Sequence, residues 1–259
     1  MSTQETSPEW KRPYFTQAVE QNLLFFIVYG KAIEEMTVPG DQYRVWHMPE
    51  GLSLSTHHQD TNPEQLNQFR DGMFESMLQI QHPELLANVK TLDHCYVIQA
   101  VLPDQDNLND LKAIIGIVTY LLDSGAVAVL DPAAYYWWTP DEWREKVFKP
   151  EEFDPFAHVK IYITPEHNES NWICTHGMRK FGRPDLSIHY VNEEEMDAVL
   201  EMINRFIAFM AGGGVIEEGQ EIQMHTLPEG MICHHKNTMN DPEFNNNHVE
   251  ISWPDPDSF

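Results

Sequence analysis

Two apolar stripes of identical spacing lie 88 residues apart, and they constrain the fold of this chain more than any other feature. In each stripe, large apolar side chains recur every three or four residues, which is the spacing of one helix face that packs on a core. The stripes are Leu108, Leu111, Ile115, Val118 and Leu122, and then Met196, Val199, Ile203, Phe206 and Met210. They predict two amphipathic helices, at about residues 108–123 and 193–211.

Strand and capping signals flank both helices. Apolar runs at 95–102 and 186–190 predict a strand before each helix, and the run 126–130 predicts a buried strand after the first. Asn192 and Glu195 have the spacing of a capping box, and glycine follows both helices. The pattern allows a duplicated strand–helix–strand unit. Amphipathic helices also share this spacing for physical reasons alone, so both explanations stay open.

Most other apolar runs predict strands that have no helices between them, which favours an α+β protein over a strict α/β alternation. These runs are 23–29, 159–163, 171–175, 221–225, 231–234 and 249–253. The fold class that we expect is therefore α+β, with mixed or antiparallel sheets covered by helices. Two related strand–helix–strand halves are one possible arrangement of it.

The ends of the chain and one proline-rich stretch mark the expected domain organisation. Residues 1–20 are polar and predict a flexible N-terminal segment, and residues 21–259 predict a single α+β body. Two closely packed halves would meet near 149–156, where proline interrupts a polar stretch twice. A further helix is expected after Asn62 and Pro63, with a stripe that faces a core. That stripe consists of Leu66, Phe69, Met73, Met77 and Ile80.

Charge and cysteine content limit the partners and the compartment. The chain carries 41 acidic and 16 basic residues, a formal net charge of −25, which disfavours nucleic acid and anionic membranes as direct partners. No window approaches the roughly 18 uninterrupted apolar residues of a spanning helix. Three widely spaced cysteines do not form a disulfide framework, which fits a reducing compartment. We therefore expect a cytoplasmic protein that does not bind membranes.

The densest aromatic tract, residues 130–143, is the candidate partner-binding site. It follows a predicted strand, and tyrosine and tryptophan combine a large contact area with a polar handle. The candidate residues are Asp131, Tyr135, Tyr136, Trp137, Trp138, Asp141 and Glu142. The alternative is that the rings seal a sheet edge, with Thr139 capping a short helix that begins at Pro140.

Two further patterns could support chemistry. Cys174 with His176 and Cys233 with His235 would offer two sulfurs and two imidazoles to a metal if their strands were neighbours, but the spacing of structural zinc sites is missing. The basic tract 175–186 either binds an anion or pairs with the chain's own carboxylates, and pairing is expected in so acidic a protein. No nucleophile elbow, phosphate loop or dinucleotide motif occurs. We therefore assign no catalytic residue, metal or cofactor.

The tract from Thr175 to Ile188 precedes a predicted helix that starts with acidic residues and is followed by glycines. The sequence of this tract is Thr-His-Gly-Met-Arg-Lys-Phe-Gly-Arg-Pro-Asp-Leu-Ser-Ile. It resembles the C-terminal region of a bacterial family called domain of unknown function 4261. The run 126–130 with the tryptophans of the aromatic tract resembles the upstream part of that family. The resemblance covers roughly residues 90–252. It implies no reaction or catalytic residues, although some relatives of this type resemble immunity proteins encoded beside secreted toxins.

The expected function is a cytoplasmic protein-binding protein, with an immunity protein that neutralises a basic toxin as its specific form. A charge of −25 would steer a cationic partner and speed its association. The alternative is a small-molecule or metal-dependent enzyme that uses an aromatic cleft around 131–143. The sequence names neither the partner nor the oligomeric state.

Overall fold

Each of the two predicted helices packs on a β-sheet of its own half of the chain. The computed structural model describes residues 8–236 and 243–254, and within them the chain forms one antiparallel and one mixed sheet. The predicted α+β class is confirmed. The helices are α1 (Gly40–Tyr43), α2 (Pro63–Gln68), α3 (Met73–Gln81), α4 (Pro83–Thr91), α5 (Asn109–Asp123), α6 (Pro140–Glu142) and α7 (Met196–Ala211).

The first sheet is antiparallel and has five strands. They are β1 (Gln21–Gly30), β2 (Leu52–His58), β3 (His94–Pro103), β4 (Ala128–Asp131) and β5 (Tyr136–Trp138). Their order is β2-β3-β1-β4-β5, so β1 is central and β2 and β5 form the edges. β1 contains the apolar run predicted at 23–29, and it is long enough to pair with both β3 and β4.

The second sheet is mixed and has six strands. They are β6 (Lys160–Pro165), β7 (Asn171–His176), β8 (Asp185–Val191), β9 (Glu221–Ile222), β10 (Met231–Lys236) and β11 (His248–Ser252). Their order is β6-β7-β8-β11-β10-β9, and only the β8–β11 pair is parallel. β9 is shorter than the strand predicted at 221–225.

The helix predictions around 108–123 and 193–211 are confirmed. α5 and α7 present their stripes to the core, and only Phe206 of the six central stripe residues stays half-buried. The five buried ones are Leu111, Ile115, Val118, Val199 and Ile203. The capping box of Asn192 and Glu195 forms in a 3-10 turn before α7.

The two halves do not share one strand topology. In the first half, the strands before and after α5 are β3 and β4, and both pair with β1 between them. In the second half, β8 pairs with the parallel strand β11, and the strand after α7 is the two-residue edge strand β9. The equal spacing of the two helical stripes is therefore not accompanied by an equal arrangement of strands.

The stripe predicted at 66–80 is wrong in part. The chain forms two helices here, α2 and α3, because Gly72 between them adopts a φ of 64° that breaks the helical path. Leu66 is buried as predicted, but α3 is rotated so that Met73 and Ile80 point outward, with 54% and 81% of their surfaces exposed. Ile80 is thus an exposed apolar side chain.

The N-terminal segment differs from the expected flexible one in its described part. Trp10 is buried, and its indole N–H donates to the carbonyl of Glu151 at 2.8 Å. Arg12 is buried as well and forms an ion pair with Asp104 at 2.6 Å. A polar composition suggested fraying, but one aromatic ring and one paired guanidinium are sufficient to hold this segment against the body.

Buried side chains of both halves belong to one hydrophobic core. Phe26 and Trp138 of the first half and Phe181 and Ile203 of the second are all part of it. No helix among the described residues has the length and apolar character needed to cross a bilayer.

Candidate partner-binding surface

The two tryptophans of the aromatic tract lie inside the protein. Trp137 and Trp138 are 0% and 1% exposed. The Trp137 indole donates to the carbonyl of Phe74 at 2.9 Å, and the Trp138 ring packs edge-on against Tyr136 and Trp143. Neither ring reaches the surface, which favours the alternative that they seal the sheet over the prediction that they anchor a partner.

The end of α3 covers the edge strand β5. The Gln81 side chain accepts a hydrogen bond from the Trp137 backbone N–H at 2.9 Å and donates one to the Tyr135 carbonyl at 3.0 Å. An unpaired edge strand presents exactly these backbone groups to other chains. The Gln81 amide therefore satisfies the edge of the sheet and brings the C-terminal end of α3 next to the aromatic tract.

Asp131 is a buried structural residue. Its carboxylate pairs with the ammonium of Lys180, and both side chains are excluded from solvent. Its other oxygen accepts the Ala134 N–H at 3.2 Å, which holds the turn between β4 and β5. Asp131 is therefore not available to a partner.

Tyr135 and Tyr136 are half-buried. Tyr135 has a φ of 50° and packs edge-on against His176, at 4.6 Å between ring centroids. The Lys160 ammonium lies 4.1 Å from the ring centroids of both Tyr136 and Trp138. Burial lowers the pKa of Lys160 to about 8, because the charged form loses water, and nearby Lys180 acts in the same direction.

Among the candidate residues of the tract, Asp141 is exposed and Glu142 is half-buried. The Asp141 side chain is 97% exposed and lies 3.2 Å from Arg144. Glu142 lies 3.0 Å from Lys146 and 3.1 Å from the Nε2 atom of His82. Thr139 caps their short helix by accepting the Glu142 N–H at 3.1 Å, as predicted.

His82 joins these acids to α4. Its Nδ1 atom lies 3.4 Å from a carboxylate oxygen of Glu84, and its ring packs edge-on against Tyr136. Ile80 lies two residues before it and is fully outward. We call the surface formed by Ile80, His82, Glu84, Asp141 and Glu142 the α3 rim.

Sequence reasoning missed His82, Ile80 and Lys160. Pro83 indicated the position of His82. A proline at the first position of a helix places the preceding residue at the helix cap, and α3 and α4 meet at this cap. Ile80 was assigned to the wrong face, since the break at Gly72 was not recognised. Nothing in the sequence around Lys160 indicated that it would lie between two rings of a distant segment.

Two of the three cations in the basic tract 175–186, Lys180 and Arg183, pair with carboxylates of the chain as predicted, whereas Arg179 does not. Arg183 lies 3.0 Å from Asp104, which Arg12 also contacts. Burial alone would raise the pKa of Asp104, but hydrogen bonds from the Ala18 N–H and both guanidinium groups outweigh it and hold the pKa below its ordinary value.

Cys174, His176, Cys233 and His235 do not form one site. Strands β8 and β11 lie between β7, which carries the first pair, and β10, which carries the second. Within the described ranges, no group of three or more histidines, cysteines or carboxylates is arranged to hold a metal ion.

The fold removes positive charge from the surface. Five of the sixteen lysines and arginines are buried, whereas three carboxylates are buried within the described residues. The buried cations are Arg12, Arg70, Lys112, Lys180 and Arg183, and the buried acids are Asp104, Asp131 and Asp185. The outer surface is therefore even more acidic than the composition indicates.

The chain matches no protein-family model, and neither the curated proteins nor the solved structures include a significant match to it. The resemblance drawn from the tract 175–188 therefore rests on those motifs alone. The function has to be argued from the surface and the interior of this molecule.

Proposed function

We propose that the protein binds a basic protein partner through the α3 rim, and that it acts in the cytoplasm as an immunity protein against a cationic toxin. The observation that carries the proposal is the excess of negative charge on the surface. Among the described residues, the fold buries five cations and three carboxylates, so more positive than negative charge is removed from the surface. A surface with this excess of negative charge accelerates the approach of a cationic protein and disfavours anionic partners.

The α3 rim combines the two components that such an interface needs. Glu84, Asp141 and Glu142 supply negative charge around the buried His82. Ile80 supplies an apolar side chain that is 81% exposed. In protein interfaces, charges chiefly govern the association rate, whereas apolar anchors govern the dissociation rate.

The enzyme alternative has less support. It requires a cleft lined by the aromatic tract, but Trp137 and Trp138 are closed inside the core. Tyr135 is the aromatic residue of this tract that lines a described cavity, of about 220 Å³.

The test uses the product of the reading frame adjacent to this gene, with its rate constants measured by surface plasmon resonance at several salt concentrations. Replacing Asp141 and Glu142 by Asn and Gln should slow association and flatten its salt dependence. The matched control is Glu193→Gln with Glu194→Gln, which changes the charge equally in the exposed 3-10 turn before α7.

Ile80→Ser should mainly speed dissociation, and it should leave the fold unchanged because the side chain is exposed. If the neighbouring product does not bind, the immunity function is wrong. If both charge variants slow association equally, the attraction is a property of the whole surface and the α3 rim is not the contact.

A further inference from the structure

A cavity of about 650 Å³ lies between the two halves, away from the α3 rim. Its walls come from the segment that leads into β1, the loop after β7, the loop after α7 and the start of β11. A volume between 300 and about 1,000 Å³ is typical of sites that enclose a small molecule. The cavity therefore has the size of a ligand site and the position at which such sites commonly form.

Two side-chain oxygens at this cavity have no protein partner. The Oδ1 atoms of Asn22 and Asn247 are both buried, and neither accepts a hydrogen bond from the described residues. Asn22 is only 7% exposed, and a Cβ atom on Gly182 would lie 2.1 Å from its Oδ1, so glycine is required beside it. Both oxygens are closed off from solvent, so each amide has to turn toward the cavity to accept a hydrogen bond there. Buried acceptors are normally paired, and a donor bound in the cavity would supply the partner that each oxygen lacks.

Asn247 is held in place without using its side chain. Its backbone carbonyl accepts the Asp185 N–H at 2.9 Å, at the start of the parallel β8–β11 pair. The side chain is therefore free to bind, while its position is set by the sheet. A residue whose backbone is fixed by a sheet and whose side chain has no partner within the protein is suited to bind a ligand.

Arg179 supplies the positive charge of the cavity. Lys180 and Arg183 of the same tract pair with carboxylates, but the Arg179 guanidinium contacts a backbone carbonyl, that of Asn245, at 2.7 Å. It forms no ion pair with any described residue. Arg179 and Leu23 also line the adjoining cavity of about 220 Å³, whose walls include Phe25 and Phe74. A guanidinium thus lies where the larger cavity meets a smaller, mostly apolar cavity.

We propose that this cavity binds a small monocarboxylate that carries hydroxyl or amino groups, as hydroxy acids and amino acids do. Arg179 holds the carboxylate, and the amide oxygens of Asn22 and Asn247 accept hydrogen bonds from the O–H or N–H groups. The strongly negative field of the protein disfavours ligands with several negative charges. A ligand with one carboxylate therefore suits Arg179, because Arg183, the other guanidinium of this cavity, already pairs with Asp104. This site is independent of the proposed partner-binding function.

The binding test uses isothermal titration calorimetry on the full chain with two probes, D-gluconate and L-phenylalanine. Gluconate tests the hydroxy acid, and phenylalanine tests an amino acid whose ring enters the apolar cavity. Sorbitol and phenethylamine lack the carboxylate, and hexanoate lacks the donors. At least one acid should bind saturably, and each control compound should bind about tenfold more weakly or less.

Two variants locate the binding. Asn247→Ala removes an oxygen that has no partner, so it should keep the wild-type melting temperature and weaken the acid about tenfold. Arg179→Gln should remove the preference for the carboxylate. The control is Arg205→Gln, which removes an exposed arginine from α7 and should bind like the wild type.

Two results would overturn the proposal. If neither acid binds at concentrations up to about 10 mM, the space holds solvent only. If an acid binds but both variants at the cavity bind it as the wild type does, the ligand occupies another part of the protein.

Discussion

The ammonium of Lys180 contacts the carboxylate of Asp131, and this pair joins the loop after β7 to the end of β4 in the other sheet. Both side chains are closed off from water. A buried ion pair adds little net stability over apolar residues of the same shape. It does make the relative position of the two halves specific, because burying either charge without its partner is strongly unfavourable.

Lys180→Met should therefore destabilise the protein by about 3–5 kcal/mol, since Asp131 would keep a buried charge without a partner. Urea unfolding followed by tryptophan fluorescence measures the change. The double variant with Asp131→Asn should recover part of the loss. Lys149→Met, which removes an exposed pair with Glu145, should change stability by no more than about 1 kcal/mol. An equal loss in both single variants would contradict the structural role of the buried pair.

Trp138→Ala should cost about 3–5 kcal/mol, because the ring is buried and packs against Tyr136 and Trp143. Chemical denaturation compares it with Trp46→Ala, whose ring is 41% exposed and whose removal should cost much less. Should Trp138→Ala keep wild-type stability and lose partner binding, the ring would have to be a surface anchor after all.

Stability should fall in acid through His176. Burial lowers the pKa of this imidazole to about 4, so the folded protein keeps it neutral while the unfolded chain binds a proton below about pH 6.5. The resulting stabilisation is complete above pH 6.5 and is lost as the pH falls to about 4. Its full size is on the order of 3 kcal/mol.

The measurement compares wild type with His176→Phe by urea unfolding across this range. Asp185 has the opposite dependence, because burial raises its pKa to about 7 and its contribution decreases as the pH rises. Since Asp185 is present in both proteins, its effect cancels in the difference. The advantage of the wild type over the variant should shrink toward pH 4, and a constant difference would refute the role of His176.

The three thiols should be unreactive in the native protein. Burial raises the pKa values of Cys95 and Cys174 to about 12 and that of Cys233 to about 11, so almost no thiolate is present at pH 8. Ellman's reagent should react very slowly with folded protein and should titrate three thiols after denaturation without reductant. One rapidly reacting thiol in folded protein would identify an accessible cysteine.

The sequence alone was sufficient for the elements whose stability is local. The stripes of α5 and α7, the capping box at Asn192, the Thr139 cap and the apolar strand β1 depend on side-chain periodicity and on backbone groups only a few residues away. The pairing of the basic tract with acids was also predictable, because the composition leaves few other partners for a buried cation.

Tertiary structure decided which faces these elements turn outward and what meets between them. Trp137 is in the core and Ile80 is on the surface because α3 continues from the break at Gly72 and lies against β5, and no short-range pattern encodes that orientation. The cavity at Arg179 likewise depends on segments far apart in the chain. Periodicity identifies the apolar side of an element, but only the packing of distant elements determines whether that side meets a core, a ligand or water.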